Sequence, residues 1–295
     1  MRILILTLLA ASVPCVHAAE TLYATSLRTQ VGGTAVIAGN LYTIDPATGA
    51  SSLIGAIRVD GTPVGLISIA ENPKTHTLYG LTAGLAQSTP PSIVTLDLQT
   101  ATATIVAPLS TRGSDMGFDS DGTLYMWAPD LDRLTKVDVA SGQATPMSAK
   151  LVDTAGGGLA IDSREHRALV AVTGAAGTLD AVDLRTGDTT RGPSIVGAPY
   201  PTAIDNLTFS PTGELYAVNS NGGVPSRASL IVIDTDSGKA RNVGALPDDT
   251  RGLIFAAPRK VPLSEFPVRA YTLVGLAIVA LAVLAYAFLH KRDVK

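Results

Sequence analysis

Short runs of alternating apolar and polar residues, each closed by a turn, fill the chain from Leu22 to Ala257. Period-two alternation over five or six residues is the mark of half-buried strands. The runs also repeat. An apolar anchor pair, Leu–Tyr in four copies and Leu–Val in one, opens a strand five times: LYATS from Leu22, LYGLT from Leu78, LYMWA from Leu124, LVAVT from Leu169 and LYAVN from Leu215. Some 20 residues after each anchor, a β-branched run ends in an aspartate and a tight turn, at Asp45, Asp97, Asp138, Asp183 and Asp234. Self-similarity at a spacing of about 45 residues, with several short strands per unit, is the sequence signature of a β-propeller.

Each unit reads as four strands. An inner strand leads: GLISIA from Gly65, MGFDS from Met116, GLAIDS from Gly158, NLTFSP from Asn206 and GLIFAA from Gly252. Its small residues suit a crowded axis. The anchor strand is second, the Asp-ended strand third, and a weaker strand such as SSLIGAI from Ser51 or ATIVAPL from Ala103 is fourth. Asp121–Gly122 and Thr212–Gly213 are hairpin turns between the first two strands. The first unit has no inner strand, because Glu20 leads straight into LYATS; the last inner strand has no anchor strand after it. Joined, the two halves make one blade and leave no open end to the array. The expected fold is therefore all-β: a five-bladed propeller closed by strands from both termini, plus one C-terminal transmembrane helix. A sixth blade within Leu27–Asn40 is not expected.

Of 295 residues 46% are hydrophobic and 16% charged, and much of the apolar content lies at the ends. Residues 1–18 combine Arg2, an apolar run and small residues at Val16 and Ala18, which reads as a secretory signal peptide. Val13 and Pro14 are poor neighbours for a lipid-attachment reading of Cys15. That cysteine is the only one, so the exported chain would carry no disulfide and no thiolate ligand. Residues 19–257 form the propeller, 258–269 a proline-containing extended linker, 270–289 an uncharged 20-residue span and 290–295 a basic tail. Such a span matches the bilayer core. With the signal peptide, it implies an exported, single-pass protein of the cell envelope with a cytoplasmic C-terminus. The short linker would turn the hairpin-turn face of the disc toward the membrane.

The repeats resemble the broad class of YVTN, NHL and SMP-30-like propellers, in which an SPDG-x-LY hairpin is common; DSDGTLY from Asp119 and SPTGELY from Ser210 carry the resemblance. The tail, VPLSEFP from Val261 followed by the span and a basic end, resembles an IPTL-CTERM sorting signal, related to PEP-CTERM, although its Thr is missing and Phe266 stands in place of Trp. That resemblance implies an exosortase-like processing enzyme as a partner. A plain membrane anchor is the alternative.

Candidate chemistry is sparse. Loops on the face where chains enter the inner strands are long in three blades: Leu27–Asn40, Thr82–Ser92 and Asn219–Ser229. Variable loops on a rigid scaffold are where binding tends to sit. At the channel mouth on that face the repeats place Asp115, Asp205, Asn206 and Arg251, with Asp115 equivalent to Asn206 and Asp205 to Arg251. These residues could hold a polar ligand, or Ca2+ through oxygen ligands; the competing readings are solvated loop residues, or an Asp–Arg pair tying two blades together. The turn aspartates sit on five separate blades and are read as acceptors for their own turns. His76 and His166 fall in hairpins of different blades, which argues against a metal site or a catalytic base. Glu71, Glu165 and Glu214 fall in those hairpins too, and Glu20 lies at the N-terminal edge. No acid–base carboxylate pair for a glycosidase, and no channel Glu of the kind an SMP-30-like lactonase resembles in needing, is evident. A net charge of −3 without a basic patch argues against nucleic acid. The expected function is a membrane-tethered module for ligand binding or surface interaction; the alternative is a metal-assisted hydrolase or lyase with carboxylates at the channel mouth.

Overall fold

The computed structural model describes residues 20–83, 90–147, 155–173, 177–201 and 203–257. The signal peptide, linker, span and tail lie outside these residues, as does the middle of the Thr82–Ser92 loop.

Five four-stranded antiparallel arrays surround one axis. Blade 1 consists of Thr250–Ala256, Thr21–Ser26, Asn40–Ile44 and Ser51–Ala56. Blade 2 consists of Leu66–Asn72, Thr77–Thr82, Ser92–Leu96 and Thr102–Pro108. Blade 3 follows with Asp115–Phe118, Leu124–Ala128, Arg133–Val137 and Ala144–Pro146. Blade 4 takes Ala155–Asp162, Arg167–Thr173, Leu179–Asp183 and Thr189–Thr190, and blade 5 takes Ala203–Phe209, Leu215–Ser220, Ala228–Ile233 and Ala240–Leu246. The ring closes as the half-repeats at its ends imply: Leu22 pairs with Phe255, Tyr23 with Ile254 and Ala24 with Leu253. Each inner strand packs on the next around the circle, blade 5 onto blade 1 included.

The apolar residues divide into five clusters, one per interface between blades. Tyr23 and Leu41 of blade 1 meet Leu66, Ile69 and Val94 of blade 2. Leu81 and Ile93 meet Met116 and Met126 of blade 3. Tyr125 and Trp127 meet Leu159, Val170 and Val182 of blade 4, Leu169 and Leu179 meet Leu207 and Ile231 of blade 5, and Tyr216 and Val218 meet Leu22 and Leu253 across the closure. Trp127 is thus fully buried between blades 3 and 4 and lines no groove. Because every blade is buried on both faces, removing one would expose two clusters.

The turn chemistry agrees with the residue types. Each aspartate closing a third strand accepts backbone N–H bonds from its own turn, as when Asp138 Oδ1 receives Ala140 and Ser141 at 2.9 and 3.0 Å. The glycine ending that turn has positive φ at Gly49, Gly142, Gly187 and Gly238, a conformation open to glycine without strain. His76 and His166 take the left-handed position (φ 54° and 50°) that Gly122 and Gly213 fill in other hairpins. Two additions were not legible in the repeats. Thr29–Val31 and Thr34–Val36 form a small hairpin inside the Leu27–Asn40 loop, so no sixth blade arises there. Arg58–Val59 pairs in parallel with the outer strand of blade 2, and Thr62–Pro63 pairs with it in turn, covering an edge that would otherwise stand open.

Candidate functional site

The inner strands carry an irregularity at one repeated position. Pairing with the anchor strand slips between Leu66 and Ser68, between Gly156 and Leu159, between Ile204 and Asn206, and between Thr250 and Gly252. The skipped residues include Ile67, Gly157, Asp205 and Arg251; in blade 3 the corresponding residue, Ser114, lies just ahead of the strand. A bulge re-aims the side chain it displaces. Here these five residues, one from each blade, line a single cavity of about 280 Å³. Leu27, Ala83, Arg112, Gly113 and Pro129 of the adjoining loops complete its wall. One contribution per inner strand places the cavity at the axis, on the face of the long loops.

Its principal polar feature is an ion pair between Arg251 Nη1 and Asp205 Oδ1, whose side chains are 17% and 15% exposed. Arg251 Nε and Asp205 Oδ2 are buried without a hydrogen-bond partner among the described residues. Ser114 Oγ donates to the carbonyl of Gly157 at 3.1 Å, linking blades 3 and 4. Arg112, at the rim, pairs with Asp130 at 2.7 Å, both about half exposed.

The next residue along each strand belongs to a different layer. Asp115 is fully buried and gathers donors from four blades. Ser68 Oγ donates to its Oδ1 at 2.5 Å, and Asn206 Nδ2 donates to the same oxygen at 2.6 Å. The Met116 amide also reaches Oδ1, at 2.9 Å. The amides of Leu159 and Leu207 reach Oδ2 at 2.7 and 3.2 Å. Burial pushes the Asp115 carboxyl up to about 8, against the downward pull of Ser68 and the backbone amides. Asn206 Oδ1 is buried with no partner among the described residues. Crowding at this level excludes side chains: a Cβ on Gly158 would lie 2.7 Å from the Asn206 carbonyl carbon, and one on Gly252 about 2.4 Å from Thr25 Oγ1.

The four residues expected at the mouth therefore form two pairs in adjacent layers. Asp205 and Arg251 line the cavity; Asp115 and Asn206 are joined in the buried layer and do not. Ile67, Ser114 and Gly157 were missed, although aligning the repeats one residue ahead of Ser68, Asp115 and Asn206 points to two of them. Among the described residues no three His, Cys, Asp or Glu side chains group as metal ligands would. His76 is largely exposed and pairs with Glu71 at 2.8 Å within its hairpin, as its sequence position suggested.

No family model matches this chain, and no curated protein matches it. Solved structures do. A chain from the crystal structure of a nidogen/laminin complex aligns over 82% of this chain and 99% of its own, at 11% identity and a TM-score of 0.52. TolB from Acinetobacter baumannii aligns over 78% and 54%, at 15% identity and 0.45. The gluconolactonase XC5397 from Xanthomonas campestris aligns over 82% and 86%, at 14% identity and 0.47. At 11% identity the likeness to the nidogen/laminin chain concerns the fold alone.

Proposed function

We propose that this protein is an exported, membrane-tethered propeller that binds a small polar ligand in its axial cavity. The observation that supports the reading is the convergence of one residue from each blade on one cavity, around an Asp205–Arg251 pair that leaves a donor and an acceptor unsatisfied. Buried polar atoms almost always find a partner, and among the described residues none is supplied here. Concave sites with apolar walls and a few placed polar groups are the usual form of small-molecule sites. Export, anchoring and processing of the tail by an exosortase-like enzyme belong to the same proposal and rest on the sequence of residues 1–18 and 258–295.

The metal-assisted hydrolase reading rests on the free oxygen of Asp205. It is the less favoured reading because Asp205 is the one carboxylate lining the cavity among the described residues, whereas Ca2+ takes six to eight oxygen ligands. Equilibrium dialysis of the full chain against a pooled metabolite and glycan-fragment library, read by mass spectrometry, tests the binding reading. At least one compound is expected to be enriched by the wild-type chain and not by Arg251→Met. No enrichment over that variant would refute it.

A further inference from the structure

The unsatisfied atoms at the cavity specify more than polarity. Among the described residues, Arg251 Nε–H is a donor without an acceptor, and Asp205 Oδ2 is an acceptor without a donor. They belong to two side chains that are held in contact through Arg251 Nη1 and Asp205 Oδ1 and that both line the cavity. Both atoms are buried from solvent, so a ligand reaches them only when the side chains turn; the carboxylate torsion of Asp205 is broad and two-fold. Ser114 Oγ, which donates to Gly157, keeps lone pairs to accept.

The charges limit what can sit there. Arg251 and Asp205 neutralise each other, and Arg112 is offset by Asp130. An anion would meet the free oxygen of Asp205, and a cation would meet two guanidinium groups. A group that accepts from Arg251 and donates to Asp205 meets neither objection, and a hydroxyl does both. Adjacent hydroxyls on one carbon frame match the pair. Leu27, Ile67, Ala83 and Pro129 supply apolar wall, suited to the C–H faces of a ring. The volume, about 280 Å³, falls just below the ordinary range for drug-sized ligands, roughly 300–1,000 Å³, and so admits one ring.

The geometry points to a neutral, ring-sized polyhydroxylated molecule, a monosaccharide or cyclitol, as the ligand of the axial cavity, with vicinal hydroxyls bridging Arg251 and Asp205. This inference rests on the ligand-binding reading above and narrows it to a chemical class.

Saturation-transfer NMR on the full chain in detergent micelles tests it, with glucose, galactose, mannose and myo-inositol as neutral probes. Glucuronate and glucosamine serve as charged counterparts. At least one neutral probe is expected to bind at millimolar concentration. Arg251→Lys, which keeps the charge and removes Nε, should weaken it at least about tenfold, the effect of one hydrogen bond to a charged group. Asp205→Asn should lose the neutral probe and gain glucuronate, because Arg251 is then unpaired. Thermal melts of both variants check that each is folded. A free sugar and the terminal sugar of a polysaccharide share this chemistry; methyl glycosides separate them, since a chain-terminal ligand tolerates the methyl group and a free one held at its anomeric hydroxyl does not. Binding of glucuronate or glucosamine alone overturns the neutral class and leaves the ligand-binding reading standing. Silence from every probe overturns the proposal, and an empty dialysis screen would overturn the reading beneath it.

Discussion

Replacing Asp115 separates two things that one carboxyl does at the centre of this ring. It accepts from Ser68, Asn206, Met116, Leu159 and Leu207, which between them belong to blades 2, 3, 4 and 5. Asp115→Ala removes both oxygens. The Met116 amide also has Ser68 Oγ within 3.1 Å, but the other four donors lose this acceptor inside the protein. Stranding a buried donor costs about 1–3 kcal/mol, so four cost on the order of 4–12 kcal/mol, comparable with the entire stability of many domains. Asp115→Asn behaves differently. Burial pushes the folded carboxyl up to about 8, so its neutral form predominates in the folded state at neutral pH, and a neutral amide can stand in for it. An asparagine oxygen in the place of Oδ2 still accepts from the amides of Leu159 and Leu207, and the Met116 amide keeps Ser68 Oγ. The sign of the pH dependence follows. Between the unfolded value near 4 and the folded value near 8, the folded state binds a proton that the unfolded state has released. Stability contributed at this site is therefore complete below about pH 4 and declines as pH rises toward about 8, by up to about 1.4 kcal/mol per pH unit. Chemical denaturation at pH 5, 6, 7 and 8 is the assay. Asp115→Ala should be strongly destabilised or unfolded, and Asp115→Asn should be at least as stable as wild type at pH 7 with a flatter profile. An alanine variant within about 1 kcal/mol of wild type would refute the hub, and parallel pH profiles for wild type and Asp115→Asn would refute the buried proton.

Deleting Thr21–Ser26 removes a strand paired on both sides, with Thr250–Ala256 and with Asn40–Ile44; calorimetry should show the cooperative transition lost, and an unchanged melt would contradict closure by both termini. Gly158→Ala should cost about 1–3 kcal/mol through overpacking against Asn206, while Gly55→Ala, whose added Cβ has nothing nearer than 3.6 Å, should be close to neutral; equal effects in denaturant titrations would count against a crowded axis. Millimolar Ca2+ should leave the melting temperature of the wild-type chain unchanged, whereas a rise of several degrees would indicate binding to the folded state and revive the metal-assisted reading. In cell fractionation the full chain should sediment with membranes and resist carbonate extraction, while a chain ending at Ala257 should be soluble; release of the full chain by carbonate would count against the anchor.

The ring was legible because its repeats carry their own alignment. Leu–Tyr anchors, turn aspartates and the unfinished units at each end fix blade number and closure without any knowledge of side-chain contacts. The candidate site was legible only in part. Asp205 and Arg251 were picked out as equivalent and do meet across two blades, but Asp115 and Asn206, one residue further along, were assigned to the same surface. The cause is the bulge. Period-two reasoning places neighbours on opposite faces, yet it cannot say at which residue a strand slips register, and one slip reassigns every side chain near it. Ile67 and Gly157 escaped notice for a related reason: neither carries a group that suggests chemistry, and their part in the cavity comes from position alone. The Arg58–Pro63 hairpin was hidden because it belongs to a connection and has no counterpart in the other repeats among the described residues.

Placing the two pairs in adjacent layers gives each a distinct consequence. A buried carboxyl that draws four blades together fixes the inner strands, and these strands present Ile67, Ser114, Gly157, Asp205 and Arg251 to the cavity. The polar atoms that would meet a ligand are therefore carried on the most constrained part of the fold, although the loops around them vary. A ligand entering such a site gives up little conformational freedom of the protein, which favours affinity out of proportion to the small area involved. The same coupling makes the hub testable through binding. At a pH where Asp115→Asn and wild type are both folded, the variant should bind any axial ligand as wild type does, because Asp115 does not line the cavity. By contrast, Ser68→Ala, which removes one donor from the hub without touching the cavity lining, should weaken binding only so far as the inner strands shift. A Ser68→Ala variant that loses the ligand entirely while melting as wild type does would show that the hub contributes to the site directly, against the separation into layers.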